Sequence, residues 1–365
     1  MAQEVSKDYW SKIMRGPPYY GDMLHPVLKK NYGKWKYHEH VKPGVVKYVS
    51  ETGDVLYTVK AAIPKILSVD TVRVLCDIAD KYSDGYLKFT SRHAVQFLVT
   101  DESKIDPLIE ELESKGFPVG GTGKSFKPII HTIGWNHCHT AIYDAPGLAK
   151  AISDELFEYW KKPELPAKLK IALACCLNMC GAIHCSDIAI VGLHRTPPVV
   201  DDEIVSKFCE IPSTIAGCPT FALKPKVLGP GKRSVEVDPK KCMGCGNCYS
   251  VCPGMKIFNP KYDCLSIWVG GKIPDAKTPP KFSRLIIPYV PNNPPRWPEV
   301  TEAVKKIVDL WRKHAKPDER IGEWIERIGW ERFFELAGLE FTEKHIDTYL
   351  FSVRDFRTST QFKWK

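Results

Sequence analysis

From Cys242 to Pro253 the chain reads Cys-x-x-Cys-x-x-Cys-x-x-x-Cys-Pro, the spacing that winds a short loop so that its thiolates meet the corners of a [4Fe–4S] cube. Zinc sites favour two separated ligand pairs over a tight triplet followed by Cys-Pro. The run therefore demands a small module folded around a cluster. Where two clusters are present the fourth cysteine of such a run serves the other one, so a single-cluster module draws its fourth thiolate from elsewhere. Cys218, in AGCPTFALKP, is the candidate. The assignment is Cys218, Cys242, Cys245 and Cys248, leaving Cys252 a spare thiol; Cys252 in place of Cys218 is the alternative.

The start MAQEVSKDYW lacks the basic-then-apolar pattern of a signal peptide, and no stretch approaches the roughly 18 apolar residues of a membrane span. A cytoplasmic location is expected. In that reducing compartment thirteen cysteines argue for metal ligands over disulfides. With 365 residues, 44% of them apolar, the chain has room for two or three domains, each with its own core. The net charge of +9 is spread along the length. That speaks against a nucleic-acid partner and for an anionic substrate or acidic partner, with an ordinary solvated basic surface as the plain alternative.

Residues 1–45 are rich in Tyr, Lys, Pro and Trp with little periodicity, the composition of an arm laid across another subunit. Residues 46–125 carry a sharper pattern: a strand in VLYTVKAAI and a helix through VDTVRVLCDIADKY, then strands in GYLKFTSR and AVQFLVT and a second helix opened by Asp101 as N-cap. With a closing strand this is the split βαβ, ferredoxin-like unit. A weaker echo occupies 126–207 and 263–338. It comprises a strand IIHTIGW, a helix from Asp144 to Trp160, strands LKIALAC, SDIAIVGL, LSIWVGG and SRLIIPYV, and three closing helices ended by Gly338. The Cys-, Pro- and Gly-rich residues 208–262 form the inserted module, and residues 339–365 read as a second interface arm. The expected class is α+β: two ferredoxin-like units with an inserted [4Fe–4S] ferredoxin domain.

A second group of cysteines is Cys175-Cys176-x-x-x-Cys180 at the end of an apolar strand, with Cys138 upstream in GWNHCHT. At a strand end the chain can turn adjacent cysteines toward one cube. Two plainer readings stand beside this one: small buried hydrophobes, common for free cysteine, or an ordinary second electron-transfer cluster.

Both cysteine groups, the tail STQFKW, and the segments YGKWKYHE, LCDIADKYSDGYLKFTSR, SDIAIVG, HRTPP, EIPST, PNNPPRWP and IGWERFFELAG together resemble the beta subunits of dissimilatory sulfite reductases over essentially the whole chain. The resemblance implies that Cys138, Cys175, Cys176 and Cys180 hold a [4Fe–4S] cube and that Cys180 also bridges to the iron of sirohaem. It implies six-electron reduction of sulfite to sulfide, or to sulfur bound on a carrier, with the ferredoxin module as the electron entry. It further implies an alpha-type partner in an alpha2beta2 heterotetramer and a small sulfur-carrier protein with a C-terminal cysteine.

Sulfite and the carboxylates of sirohaem call for cations. Arg92, Lys168 and Lys170 match basic positions lining the anion site of the wider sulfite and nitrite reductase superfamily; the period of a strand points both lysines the same way. Taken alone, each reads as an ordinary exposed residue. His137 and His139 flank Cys138 where a second arginine is expected, which implies that the partner supplies it. His137 is a candidate proton donor or sirohaem contact, and His139 a packed or hydrogen-bonded ring. The competing functions are an electron-transfer or scaffold subunit with a vestigial sirohaem site, the same enzyme running in the sulfur-oxidising direction, and a nitrite reductase, against which the Cys-Cys-x-x-x-Cys spelling argues.

Overall fold

A computed structural model describes residues 19–345. Residues 1–18 and 346–365, including the STQFKW tail and much of both proposed arms, lie outside the described residues. The first unit opens with α1 (Pro26–Lys30), β1 (Trp35–Lys42), β2 (Val45–Ser50) and β3 (Val55–Ala62). It continues through α2 (Val69–Tyr82), β4 (Leu87–Phe89), β5 (Ala94–Val99) and α3 (Ile105–Ser114). The Ser68 side chain caps α2 by accepting the Thr71 N–H at 3.1 Å, and Leu75, Ile78, Ala79 and Tyr82 form its buried stripe. Asp101 caps the short turn leading into α3. The strands form an antiparallel sheet in the order β1-β2-β3-β5-β4. Val59, Phe97, Leu108 and Leu112 are at its core.

Two corrections to the sequence reading fall here. Residues 35–42, placed in the N-terminal arm, are the edge strand of the first sheet. Their side chains are exposed along most of the strand, so main-chain pairing holds it and no hydrophobic alternation announces it. Strand β2, also unread, completes the ladder to β3.

The second unit contains β6 (Ile130–His131), α4 (Ala145–Glu155), α5 (Glu158–Lys161), β7 (Ile171–Ala174) and β8 (Ile188–Leu193). The helix expected from Asp144 to Trp160 breaks at Leu156 because Tyr159 and Trp160 must also be buried. The Trp160 indole lies where a Cβ on Gly121 would stand, at 2.1 Å, and the Trp160 carbonyl accepts the Gly121 N–H at 3.0 Å.

The module follows: β9 (Val199–Val200), α6 (Asp202–Phe208), α7 (Ile211–Ala216), β10 (Leu223–Gly229), β11 (Lys232–Val237), α8 (Asn247–Val251) and β12 (Met255–Lys256). It begins upstream of the expected boundary at 208. β9 pairs with β12, Val205 of α6 sits in the module core with Leu223, Val235 and Met255, and Asp202 holds Lys226 and Ser234 at 2.6 Å. An ordinary amphipathic helix such as α6 gives no sign in sequence of which core it joins.

The chain then returns through β13 (Cys264–Val269), β14 (Arg284–Pro291), α9 (Pro298–His314), α10 (Ile321–Ile328) and α11 (Trp330–Ala337). The second sheet runs β14-β13-β8-β7-β6. It varies the first unit instead of copying it, since β6, β7 and β8 are parallel to one another while β13 and β14 are antiparallel. Both faces are covered, so β7, β8 and β13 are buried throughout. One face, with Ile171, Leu173, Ile190 and Ile267, packs on the helices. The other, with Ala172, Ala174, Val191 and Trp268, packs on Leu177, Ile183 and Cys245. Strand alternation thus seats the cysteine loops against the sheet face away from the helices.

Candidate cluster and anion sites

In the module, Gly244 and Gly246 take left-handed backbone conformations (φ +70° and +77°) that coil the cysteine run. Cys218, Cys242, Cys245 and Cys248 line one small cavity together with Pro219 and Leu223. The Ala222 N–H points at the Cys218 sulfur, 3.2 Å away; Phe221, in a left-handed conformation (φ +55°), turns the chain so that it does. Burial pushes the Cys245 thiol up to about 11 and the Cys248 thiol up to about 12. Thiolates form there when a cationic centre is bound.

Cys252 is elsewhere. It is fully buried and joined to Cys209 in a disulfide, packed in the module core. The expectation that the cysteines serve as ligands and not in disulfides is corrected at this pair. The two residues sit at the C-terminal ends of α6 and α8, which nothing in their spacing announces.

The second cysteine set lies at the end of β7. The Cys175 N–H donates to the Thr132 hydroxyl oxygen at 3.0 Å and its carbonyl accepts the Ile142 N–H at 2.9 Å. The Thr140 hydroxyl is 3.5 Å from the Cys138 sulfur and 3.6 Å from that of Cys176. A mutual hydrogen bond holds the Cys175 thiol up and draws that of Cys176 down. Cys180 is exposed as a residue, but partial desolvation of its sulfur, with the charges of Cys176 and Cys138, raises its thiol. Met179, just before it, is left-handed (φ +49°), a conformation that bulky side chains seldom adopt outside functional turns. Neither cysteine set, nor any other group of His, Cys, Asp or Glu among the described residues, converges on a point as the ligands of a single ion do.

Between the two sheets lies a group of cations. Arg92, in the turn between β4 and β5, donates to the Pro128 carbonyl at 2.9 Å. Burial pushes its guanidinium down to about 10. Lys168 and Lys170, expected on a strand, lie just before β7 on either side of the buried Leu169, Lys168 exposed and Lys170 half-buried. Burial, with the charges of Arg92, Arg320 and Lys168, pushes Lys170 down to about 8.

Two members escaped the sequence reading. Lys60 of β3 is buried and donates to the Gly121 carbonyl; its amine is pushed down to about 8 by burial and by Arg92. Lys127 donates to the Gly121 and Gly123 carbonyls at 3.0 and 2.8 Å. Burial, with Lys60, Lys168, Lys170 and Arg92, pushes it down to about 6. None of these five side chains makes a salt bridge among the described residues. Signals were present in sequence: a lysine inside the apolar strand VLYTVKAAI, and lysines in the Gly-rich loop GGTGKSFKP.

His137 is exposed beside the half-buried Cys138. Nε2 of His139 lies 3.1 Å from the Ser250 hydroxyl and its ring lies near Tyr249, so it ties the Cys138 loop to the module. His194, unread in sequence, is wholly buried at the end of β8 with Nδ1 3.3 Å from Asp263.

Residues 122–345 match the nitrite and sulphite reductase 4Fe-4S domain, and residues 48–115 the nitrite/sulfite reductase ferredoxin-like half domain. The chain is 57% identical over 359 residues to the dissimilatory-type sulfite reductase subunit beta of Archaeoglobus fulgidus, covering 96% of this chain and 97% of that one. It is 46% identical to the corresponding subunit of Nitratidesulfovibrio vulgaris, over 96% and 94% of the two chains. The subunit alpha of Allochromatium vinosum is 26% identical, over 81% of this chain and 74% of that one. Among solved structures, a crystal structure of dissimilatory sulfite reductase I superposes with a TM-score of 0.79 at 22% identity, over 90% of this chain and 82% of that one. It shares the fold. Two family domains in sequence order, and identity sustained along nearly the whole length of two beta subunits, place this chain in the nitrite and sulfite reductase family, among the beta subunits of dissimilatory-type sulfite reductases.

Proposed function

We propose that this chain is the beta subunit of an enzyme that reduces sulfite by six electrons at a sirohaem coupled to a [4Fe–4S] cluster, fed by a second [4Fe–4S] cluster in the module. The observation that carries this reading is the group Lys60, Arg92, Lys127, Lys168 and Lys170. These electrostatically coupled cations make no salt bridge among the described residues and lie where the first unit meets the unit that carries a cysteine set whose last member is exposed. Lys60 is buried and Arg92, Lys127 and Lys170 are partly so; cations withdrawn from water without a salt bridge are costly, and an anion offsets that cost.

The donor sets fit the groups. Cys138, Cys175, Cys176 and Cys180 would hold the coupled cluster, with Cys180 shared by the sirohaem, and Cys218, Cys242, Cys245 and Cys248 the module cluster. When bound, the sirohaem supplies an iron for the substrate and a conjugated ring through which electrons reach it. Lys60 and Lys127, tied to the Gly121 and Gly123 carbonyls, offer positive charge in fixed positions. Arg92, Lys168 and Lys170 complete the field that binds sulfite and the sirohaem carboxylates. Lys127 and Lys170, held low enough to exchange a proton near neutral pH, are proton donors to the oxygens that leave as water; His137 is a third. The same residues serve the sulfur-oxidising direction read backwards.

An alpha subunit completes the enzyme in an alpha2beta2 assembly, and a small carrier protein takes up partly reduced sulfur on its C-terminal cysteine. The exposed Tyr20, Met23, Tyr32 and Tyr37 near the first sheet's edge suit burial against another chain. Among the described residues no helix is long and apolar enough to cross a membrane, and the cytoplasm is the proposed location.

The test is to purify the chain with its natural partners and record optical and EPR spectra with haem and iron counts, before and after adding sulfite. Sirohaem bands, two clusters per chain and a sulfite-induced shift are expected. Two clusters without sirohaem would reduce the chain to an electron-transfer subunit.

A further inference from the structure

His194 belongs to the HRTPP segment, which neither cysteine set nor the anion site absorbs. Its backbone and ring face different parts of the module. The His194 carbonyl oxygen stands 2.0 Å from where a Cβ on Gly244 would lie, so that turn closes on β8 only because residue 244 is glycine. The imidazole is completely buried, with Nδ1 3.3 Å from Asp263 Oδ2. Asp263 in turn accepts the Asn259 N–H at 3.0 Å, and Phe258 packs edge-on at 5.0 Å between centroids. The other ring nitrogen, Nε2, is buried without a hydrogen-bond partner and lies 3.6 Å from the Cβ position of Gly246, between Cys245 and Cys248.

From the second cysteine set, Thr140 reaches the same turn. Its hydroxyl touches the sulfurs of Cys138 and Cys176, while its methyl carbon is 3.5 Å from the Gly246 Cβ position. One turn of the module thus receives both a side chain that touches the second set and the buried imidazole of His194. A buried polar atom without a partner is uncommon and calls for an explanation. Here it faces the loop that carries two thiols.

We propose that His194 is the positioning residue that couples the two iron–sulfur sites. Anchored by Asp263 and flanked by Thr140, it fixes the module cluster against the cluster of Cys138, Cys175, Cys176 and Cys180, and it sets how evenly an electron is shared between them. The step it serves is a one-electron transfer in which the module cluster is oxidised and the second cluster reduced, with no bond made or broken. Cluster potentials respond to the charges and hydrogen bonds around the sulfurs, and groups behind the ligands tune a centre without touching its metal. The inference rests on the reading that both cysteine sets carry [4Fe–4S] clusters.

The test uses the complete complex with wild-type chain, His194→Phe and His194→Gln. The readouts are iron per chain, EPR-monitored potentiometric titration of each cluster, and freeze-quench EPR of electron arrival at the second cluster. His194→Phe should keep its iron but change the electron-sharing equilibrium about tenfold, a shift of about 59 mV for a one-electron couple. It should also slow arrival about tenfold, and His194→Gln should restore part of both. Unchanged potentials and arrival rate in a fully loaded His194→Phe complex would overturn the proposal. If that variant loses module iron, Asp263→Asn takes its place; there an unmoved potential overturns the proposal and a shifted one upholds it. A single cluster in the wild-type complex would instead sink the underlying two-cluster reading.

Discussion

Arg320 grips Asp187 with two hydrogen bonds of 2.7 Å, from Nε and Nη2 to the two carboxylate oxygens, and neither side chain reaches solvent. The same carboxylate accepts the Lys170 backbone N–H at 2.7 Å. One buried pair therefore joins the N-terminal end of α10, the start of β8 and the approach to β7, where the anion-site lysines sit.

Asp187→Ala should cost about 3–5 kcal/mol, the usual penalty for leaving a buried charge without its partner. It should also loosen Lys170. Denaturant unfolding of the complex checks the first effect. The double variant Asp187→Leu/Arg320→Met should recover much of the loss, because replacing both charges removes the orphan; a double variant as unstable as Asp187→Ala would show that the pair does not act as a unit.

Neither member of this pair stands out in the sequence. Val69, Val72, Leu75, Cys76 and Ala79 at helical spacing announced α2, although Val69 and Cys76 prove exposed and Ile78 joins the buried stripe, and the cysteine run announced its cavity because the ligands are local. Asp187 and Arg320 are far apart in the chain and become partners only through the fold. Lys60 and Lys127 were missed for a related reason: each is an ordinary lysine until the seam between the two sheets brings it against Arg92, Lys168 and Lys170. Cys209 and Cys252 likewise meet only when α6 and α8 pack in one module. Strand β1 went unread because main-chain pairing to β2 holds it.

Anion binding at the seam should take up protons. In the free chain burial holds Lys127 at about 6, and Lys60 and Lys170 at about 8, against about 10.4 for an unfolded lysine. Between those values the folded state binds fewer protons than the unfolded one, so the stability of the anion-free chain rises with pH across the window. A bound anion favours the charged amines and reverses the bias. Affinity for sulfate, whose own charge is constant in this range, should fall as pH rises from about 6 through 8. Calorimetry at pH 8 in two buffers of different ionisation enthalpy should report net proton uptake. Zero uptake would mean that these amines are already charged without the anion.

The module's fourth ligand is testable by paired substitutions. Cys218 lines the cavity with Cys242, Cys245 and Cys248, whereas Cys252 is bonded to Cys209 in the module core. Cys218→Ser should abolish or grossly alter the module's EPR signal. Cys252→Ser should leave the signal and the iron count intact while costing about 2–5 kcal/mol of module stability. The reverse pattern would move the fourth ligand to Cys252.

Gly244 and Gly53 separate two reasons for needing glycine. Both are left-handed, at φ +70° and +84°, so either substitution by alanine carries a backbone penalty of about 1–2 kcal/mol. At Gly53 a new Cβ meets nothing within 4 Å; at Gly244 it would stand 2.0 Å from the His194 carbonyl oxygen. Gly53→Ala should therefore cost only the backbone term. Gly244→Ala must also push the cysteine loop off β8, and its effect should be local. Hydrogen exchange should quicken in residues 198–257 while the first sheet stays protected, since the loop closes on His194 and Thr140 of the second unit. Equal and global losses in the two variants would show that contact with His194 does not hold the module in place.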